Sequence, residues 1–231
     1  MDEKIECARC TRVVCGSEHY MEGPDNCPTK TRAGLIEQAV REYDDPEVKE
    51  FARQASIQEA ECYMSMPEGS VTRHPRVEEV VQFARKMGYK KLGVAFCVGL
   101  REEAEMLNRI LENRGFDVVS VCCKVGGTPK ESIGIKDEEK IITKFRGPGH
   151  YESMCSPISQ AEILNHAAVE FNILVGLCVG HDSLFIKYAK APITVLVAKD
   201  RVFGHNPVAG LYQSRSYYRR LLRKEPLDQR L

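Results

Sequence analysis

The chain has 231 residues, of which 33 are basic and 33 are acidic, so its formal net charge is zero. This balance gives no reason to expect nucleic acid or a membrane as a partner. The acidic start of the sequence lacks the apolar segment of a signal peptide, and no apolar run is long enough to span a bilayer, which predicts a cytoplasmic protein. In a reducing compartment, ten cysteines indicate metal binding or thiol chemistry rather than disulfides.

Residues 1–30 are predicted to form a small cysteine-rich module. They show no periodic apolar pattern, so something other than a core must hold them. One C-x-x-C pair in a short segment with four cysteines is a strong metal signal, typical of zinc. An iron–sulfur cluster also takes four cysteines, and the Cys-Pro dipeptide at 27–28 resembles the end of ferredoxin motifs. The predicted ligands are Cys7, Cys10, Cys15 and Cys27.

Residues 31–72 are predicted to be a helical connector. Its second helix has Asp45 as N-cap and Pro46 as first residue. We assign Cys62 to the apolar side of this helix, in the core. Residues 65–72 are predicted to be a linker or turn.

Residues 73–231 are predicted to be an α/β domain, because short apolar strands alternate with amphipathic helices. The expected fold is an open, mostly parallel, Rossmann-like sheet of four strands with helices on both faces, in the flavodoxin-like order 2-1-3-4. The basic run "RSYYRRLLRK", 215–224, is predicted to be a solvated helix face. The predicted strands are 91–97, 117–123, 172–178 and 193–199; the predicted helices are 73–87, 100–114, 157–170, 182–190 and one from Asn206; the loop 124–156 is long enough to be functional.

Cysteines end three of these strands, and two of the strands end in Cys-Val-Gly. Ligands of open parallel sheets bind outside the carboxyl ends of the strands, where the strand order reverses. We therefore expect Cys97, Cys123 and Cys178 at one edge of the sheet. Cys123 is preferred to Cys122 because successive strand side chains face opposite ways, although the sequence leaves both open. Cys155 precedes a helix and belongs to the opposite edge unless the long loop folds back.

Other residues near the strand ends are candidates for supporting roles. Gly99 and Gly180 allow tight strand-to-helix turns that place backbone N–H groups near an anion or thiolate. Lys124 could meet a phosphate, although its surroundings have the spacing of neither a dinucleotide fingerprint nor a phosphate loop. His181 and His205 follow the third and fourth strands.

The motifs "CARCTRVVC", "FCVGL", "VCCKVG", "CSPISQAEILN", "GLCVGHDSLF" and "KDRVFGHNPVAGLY" together resemble a family of uncharacterised, predicted metal-binding proteins, grouped as domain of unknown function 1847. The resemblance covers nearly the whole chain. It implies a cysteine-rich, metal-binding protein with no established reaction and no assigned catalytic residues. The motif cysteines it implies are Cys7, Cys10, Cys15, Cys27, Cys97, Cys123, Cys155 and Cys178, which adds Cys155 to the sheet-edge set.

Three functions compete at this point. The leading one is a metalloprotein with an iron–sulfur cluster or zinc at the sheet edge and a role in electron transfer, redox sensing or redox chemistry with a partner protein or small molecule. In the second, Cys97 or Cys178 is the nucleophile of an enzyme, His181 or His205 is its base, and the N-terminal module holds zinc. The third is an adaptor that docks partners through the N-terminal cysteines.

Overall fold

The computed structural model describes residues 4–224. Contacts divide the chain into two compact units, one up to Tyr63 and one from Met64 onwards. The boundaries predicted at 30 and 72 stay predictions. The first unit contains the helices α1 (Pro28–Thr31), α2 (Ala33–Val40) and α3 (Pro46–Glu61).

Helix α3 begins where its capping residues predict. One carboxylate oxygen of Asp45 accepts the backbone N–H groups of Glu47 and Val48 at 2.8 and 3.1 Å, which satisfies two donors that the first turn leaves open. The expectation of a core position for Cys62 is wrong. Cys62 is the half-buried C-cap of α3, and its thiol donates to the Gln58 carbonyl at 3.1 Å.

The segment predicted as a linker is a β-hairpin. Its strands are β1 (Tyr63–Met66) and β2 (Gly69–Thr72), and both are exposed along their length. Gly69 has a φ of 131°, which favours glycine, so the Pro-Glu-Gly sequence acts as a reversal rather than as a linker. With neither strand face buried, no apolar alternation marked the hairpin in the sequence.

The second unit is built on a four-stranded sheet, which confirms the α/β class. All its strand pairs are parallel, and the order across the sheet is β4-β3-β5-β6. Among residues 4–224, no helix is both long and apolar enough to cross a membrane. The strands are β3 (Lys91–Phe96), β4 (Asp117–Cys122), β5 (Phe171–Val175) and β6 (Ile193–Val197); the helices are α4 (Arg76–Lys86), α5 (Arg101–Asn113), α6 (Ile141–Arg146), α7 (Pro157–His166), α8 (His181–Tyr188) and α9 (Val208–Gln213).

Strand β5 ends earlier than its apolar run predicts. All five of its residues are buried, as expected for an inner parallel strand. The run continues to Cys178, but Gly176 turns out of the strand with a φ of 65°. A Cβ at Gly176 would overlap Cδ1 of Leu100, so the strand can end here only at glycine. Cys178 therefore lies in a turn beyond β5, and its predicted position as the last strand residue is wrong.

The C-terminal part also departs from the prediction. Helix α9 is a short helix, and residues 215–224 form turns and the 3-10 helix Arg219–Leu222 instead of a longer helix. The helical spacing of this basic run is therefore misleading. No buried counterpart stabilises an amphipathic face there, since the segment is mostly exposed.

Replacing Gly176 with alanine should destabilise the second unit more than replacing Gly180. Both glycines have positive φ angles, 65° and 86°, but only the Gly176 Cβ meets another side chain. We expect Gly176→Ala to lower the free energy of unfolding by about 3 kcal/mol and Gly180→Ala by about 1 kcal/mol. Urea unfolding would measure both, and equal losses would show that the contact with Leu100 does not fix the end of β5.

Candidate thiolate site at the carboxyl edge of the sheet

Cys97 lies directly after β3 and is buried, with 7% of its surface exposed. Its backbone N–H continues the sheet ladder by donating to the Val175 carbonyl at 3.1 Å. Its side chain leaves the strand toward Lys199, whose Nζ donates to the Cys97 Sγ at 3.1 Å. Gly99 lies beside this lysine, and a Cβ added there would be in ordinary van der Waals contact with Nζ, at 3.6 Å.

Cys123 occupies the matching position after β4. Phe96 and Cys122 are paired in the register of β3 and β4, and the Cys123 N–H donates to the Phe96 carbonyl at 2.8 Å. The Cys123 Sγ in turn accepts the N–H of Val98 at 3.3 Å. Cys123 is 2% exposed, whereas Cys122 is half-buried.

Cys155 reaches the same edge because the chain after β4 folds back on itself. Backbone hydrogen bonds join Met154 to Thr128 at 2.8 Å and Lys130 to Glu152 at 3.0 Å, which makes a short antiparallel ribbon. The Ser156 N–H then donates to the Cys123 carbonyl at 2.7 Å. The opposite-edge position considered for Cys155 therefore does not occur.

The middle of this excursion is organised by a buried lysine. Lys140 is 3% exposed, and its ammonium group contacts Glu131 at 2.5 Å, Asp137 at 2.9 Å and the His150 carbonyl at 3.1 Å. The second carboxylate oxygen of Asp137 accepts the Gly149 N–H at 2.6 Å. A loop tied in this way holds the ribbon that presents Cys155.

The three thiols titrate together. The pKa of Cys97 is lowered to about 4, chiefly by a hydrogen bond from the Cys123 thiol, and further by the Gly99 N–H and Lys199. The pKa of Cys155 is lowered to about 5, again chiefly by the Cys123 thiol and further by Lys124 and His181. The pKa of Cys123 is raised, because its proton is shared with Cys155 and Cys97 and because it is buried. At neutral pH two thiolates therefore flank one thiol.

Lys124 is the cation on the Cys155 side. Its Nζ donates to the Ser153 carbonyl at 2.6 Å and lowers the pKa of Cys155 through its charge. The phosphate contact considered for Lys124 stays a prediction. Lys199 was not singled out in the sequence. Because it follows a different strand from Cys97, only the sheet order brings the two together.

Cys178 has a different environment from the other sheet-edge cysteines. Its Sγ accepts a hydrogen bond from Nη2 of Arg201 at 3.0 Å, and its carbonyl accepts the N–H of His181 at 2.9 Å. The hydrogen-bonded trio consists of Cys97, Cys123 and Cys155. The structure thus places the second Cys-Val-Gly corner beside an arginine rather than in the trio.

The two candidate histidines, His181 and His205, have different neighbours. His181 lies close enough to Cys155 to contribute to the lowered pKa of that thiol. His205 has a φ of 65°, and its Nδ1 accepts the Asp200 N–H at 3.1 Å. That bond leaves Nε2 as the free ring nitrogen of His205. Gly180 has a φ of 86° and precedes α8 as predicted for a tight turn.

Three of the N-terminal cysteines surround a pocket of about 190 Å³, formed with Pro24 and Pro28: Cys7, Cys10 and Cys27. Hydrogen bonds from Thr29, assisted by Lys30, lower the pKa of Cys27. Cys15 is exposed and does not line this pocket. The pocket has the donor chemistry that a thiophilic metal requires.

Within the described part of the chain, no three or more His, Cys, Asp or Glu side chains stand at metal-ligand spacing. The donors themselves fit a soft metal, since two sheet-edge thiols are thiolates and the third is hydrogen-bonded to both. Metal ligation there would require the Sγ atoms to approach one another.

These features define an α/β protein with coupled thiols at the carboxyl edge of its parallel sheet. The chain belongs to the family described as "Protein of unknown function (DUF1847)", which matches residues 27–196. It is also similar to the "Uncharacterized protein MJ0455" of Methanocaldococcus jannaschii, with 38% identity over 218 residues that cover 94% of this chain and 98% of the relative. The family match includes the thiol trio and Cys27, and begins after Cys7, Cys10 and Cys15.

Lys199 should control the titration of Cys97 selectively. In metal-free protein, thiolate absorbance near 240 nm should show two cysteines ionising with pKa values of about 4 and about 5. Lys199→Met removes the ammonium beside Cys97, so the lower of these pKa values should rise by about one pH unit.

The matched variant is Lys124→Met, which should raise the pKa of Cys155 instead. Cys122→Ser serves as the control and should leave both titrations in place. A Lys199→Met protein with an unchanged titration would contradict the assignment of this lysine to Cys97.

Proposed function

We propose that this protein is a cytosolic metalloprotein whose flavodoxin-like sheet carries a thiolate centre formed by Cys97, Cys123 and Cys155. The observation that supports it best is the thiol of Cys123 shared between two thiolates. Thiolate is the form of cysteine that binds metals, and both zinc and iron–sulfur clusters take cysteine ligands. A role in electron transfer, redox sensing or redox chemistry follows if the bound group is an iron–sulfur cluster.

The cations around the thiols suit an anionic metal centre. Lys199 offsets the charge of the Cys97 thiolate and Lys124 offsets that of the Cys155 thiolate. The Val98 N–H donates to the Cys123 Sγ at 3.3 Å. Hydrogen bonds and charges of this kind orient ligands and tune the reduction potential of a cluster.

A fourth ligand would come from the turn after β5. Cys178 is the candidate from the sequence, and its thiol would have to leave Arg201 in order to bind. His181 is the alternative, because it is close enough to Cys155 to influence the pKa of that thiol, and a neutral imidazole is a metal ligand. Zinc and cubane clusters both take four ligands, so one of these two residues completes the proposed centre.

The N-terminal cysteines are proposed to hold a second metal. Cys7, Cys10 and Cys27 border one pocket, and Cys15 would join them as the fourth ligand. A short segment without a core gains its stability from such a metal. Its proposed role is structural or as an electron relay.

A second candidate function is a cysteine-nucleophile enzyme. It is favoured by the pKa of Cys97, which is lowered to about 4 without any metal. A thiolate that is already ionised needs no general base, so His205 would have no proton to accept from it. Brief alkylation separates the two functions: an enzyme shows one hyper-reactive thiol, whereas a metal centre protects three thiols until a chelator exposes them.

Metal bound at the sheet edge should depend on Cys123 and not on Cys122. Protein purified without oxygen would be analysed for iron, sulfide and zinc, together with its visible spectrum. A cluster gives broad absorption near 400 nm with about four irons and four sulfides, and zinc gives a colourless protein. Cys97→Ser and Cys123→Ser should each remove this metal, while the adjacent control Cys122→Ser should keep it.

Cys10→Ser tests the N-terminal site under the same conditions. It should remove the metal bound at that site and leave the metal at the sheet edge in place. Equal metal content in Cys123→Ser and Cys122→Ser would contradict the sheet-edge centre. In that case a single fast-alkylating Cys97 would move the conclusion to the thiolate enzyme.

A further inference from the structure

The carboxyl edge of the sheet exposes apolar side chains beside the thiols. Three valines follow the ends of the neighbouring strands β3, β5 and β6, and we call them the edge patch: Val98, Val179 and Val202. They are 48%, 92% and 67% exposed. One exposed valine is ordinary, but several at one edge are typical of an interaction site. Each Cys-Val-Gly corner thus turns its valine to solvent.

The chain that follows β6 is rich in positive charge, since residues 198–231 contain eight Lys and Arg and three Asp and Glu. Residues 201–224 include six basic side chains and no acidic one. Within residues 4–224, none of these six cations forms an ion pair with a carboxylate. We call this stretch the basic segment; its cations are Arg201, Arg215, Arg219, Arg220, Arg223 and Lys224.

The basic segment is attached to the thiol edge. Its first cation, Arg201, donates to the Cys178 Sγ at 3.0 Å. The ring of Tyr218 packs edge-on against Phe203 with centroids 5.2 Å apart, and the Arg220 guanidinium lies 4.5 Å from the Tyr218 ring centre. These contacts hold the middle of the segment near the end of β6.

Among residues 4–224, neither Asp200 nor Asp182 forms an ion pair with the segment. One carboxylate oxygen of Asp200 accepts the N–H groups of Val202 and Phe203 at 2.8 and 2.9 Å, and Asp182 is likewise engaged by the backbone of its own turn. Helix α5, which packs against β4 and β3, carries the exposed acidic residues Glu102 and Glu103 in its first turn. The basic segment thus brings six positive side chains to the chain that follows β6.

We propose that the edge patch and the basic segment form the docking face for a small acidic electron-carrier protein. This proposal rests on the redox role proposed above for the thiolate centre and names the partner of that centre. The carrier would give one electron to the centre, becoming oxidised as the centre is reduced, and no covalent bond changes. An apolar patch next to the centre would bring the two redox groups close, and the surrounding cations would attract the acidic carrier.

The composition of the face favours a protein partner over nucleic acid or a lipid surface. Its exposed tyrosines and arginines are side chains enriched in protein interfaces, and its exposed aliphatic groups, such as Leu211 and Leu221, have no counterpart on a nucleic acid backbone. Membrane-surface binding uses a long amphipathic helix, whereas α9 has only 6 residues.

The test uses reduced plant-type ferredoxin, a small acidic carrier, as the probe. Its binding would be measured by calorimetry and its reoxidation by stopped flow, on the full-length protein prepared without oxygen. We expect saturable binding that weakens at least about tenfold between low and moderate salt. Dithionite serves as a reductant that needs no docking.

Two variants remove the two parts of the face. Arg215→Glu/Arg223→Glu reverses charges whose side chains make no hydrogen bond or ion pair within residues 4–224, so the fold should be retained. It should slow ferredoxin reoxidation by about tenfold or more through the association rate. Val179→Ser should weaken binding severalfold. Reduction by dithionite should be unchanged in both.

The matched controls are Arg109→Glu/Lys144→Glu and Met106→Ser, which alter exposed side chains on α5 and α6 that belong to neither the edge patch nor the basic segment. They should behave as the unmodified protein. Binding that is absent, insensitive to salt or equally affected by both charge reversals would overturn the docking face. Tighter binding of an oligoadenylate or of phosphatidylserine vesicles, lost in Arg215→Glu/Arg223→Glu, would overturn it in favour of those partners.

Failure of the docking face and failure of the redox role give different results. A centre that dithionite reduces but ferredoxin neither binds nor reduces leaves the redox role standing and overturns the docking face. A protein without any reducible centre contradicts the redox role. Even in a protein without a reducible centre, ferredoxin could still bind. If the Arg215→Glu/Arg223→Glu variant loses that binding, the docking face for an acidic protein is supported.

Discussion

The hydrogen bond from the Ser156 N–H to the Cys123 carbonyl, 2.7 Å long, is the contact on which the thiol group depends. It closes the long excursion between β4 and α7, and so brings Cys155 to the two cysteines that the sheet register already places side by side. The ribbon and the Lys140 ion pairs hold the rest of the excursion in place. A flexible loop of the same length would have a larger entropic cost of ordering for the same contact.

Once the three sulfurs meet, their chemistry is shared. Cys123 can keep its proton because that proton stabilises two neighbouring thiolates at once. The thiolates of the buried Cys97 and the half-buried Cys155 are stabilised in addition by Lys199 and Lys124, respectively. Burial alone would raise the pKa of all three thiols. Hydrogen bonding therefore lowers the pKa of Cys97 and Cys155 by more than desolvation raises it. At Cys123 hydrogen bonding and desolvation both raise the pKa.

The sequence predicted the features that local patterns encode. The four parallel strands follow from short apolar runs, and the start of α3 follows from Asp45 and Pro46. Local sequence patterns did not predict the structural features that depend on residues far away in the sequence. The end of β5 depends on Leu100 occupying the space beside Gly176, the position of Cys155 depends on a folded loop, and the link between Lys199 and Cys97 depends on strand order. The predicted helix over 215–224 was wrong because spacing cannot reveal whether an apolar face finds a partner.

The two Cys-Val-Gly corners show how one tripeptide takes different roles. At the first, Cys97 directly follows β3, so its side chain is buried among the thiols. At the second, the turn at Gly176 separates Cys178 from β5, and its thiol meets the exposed Arg201 instead. The valines of the two corners, Val98 and Val179, are both exposed to solvent. Both corners thus present an exposed valine next to a cysteine, and a docking partner can use these valines. Only the first corner contributes its sulfur to the trio.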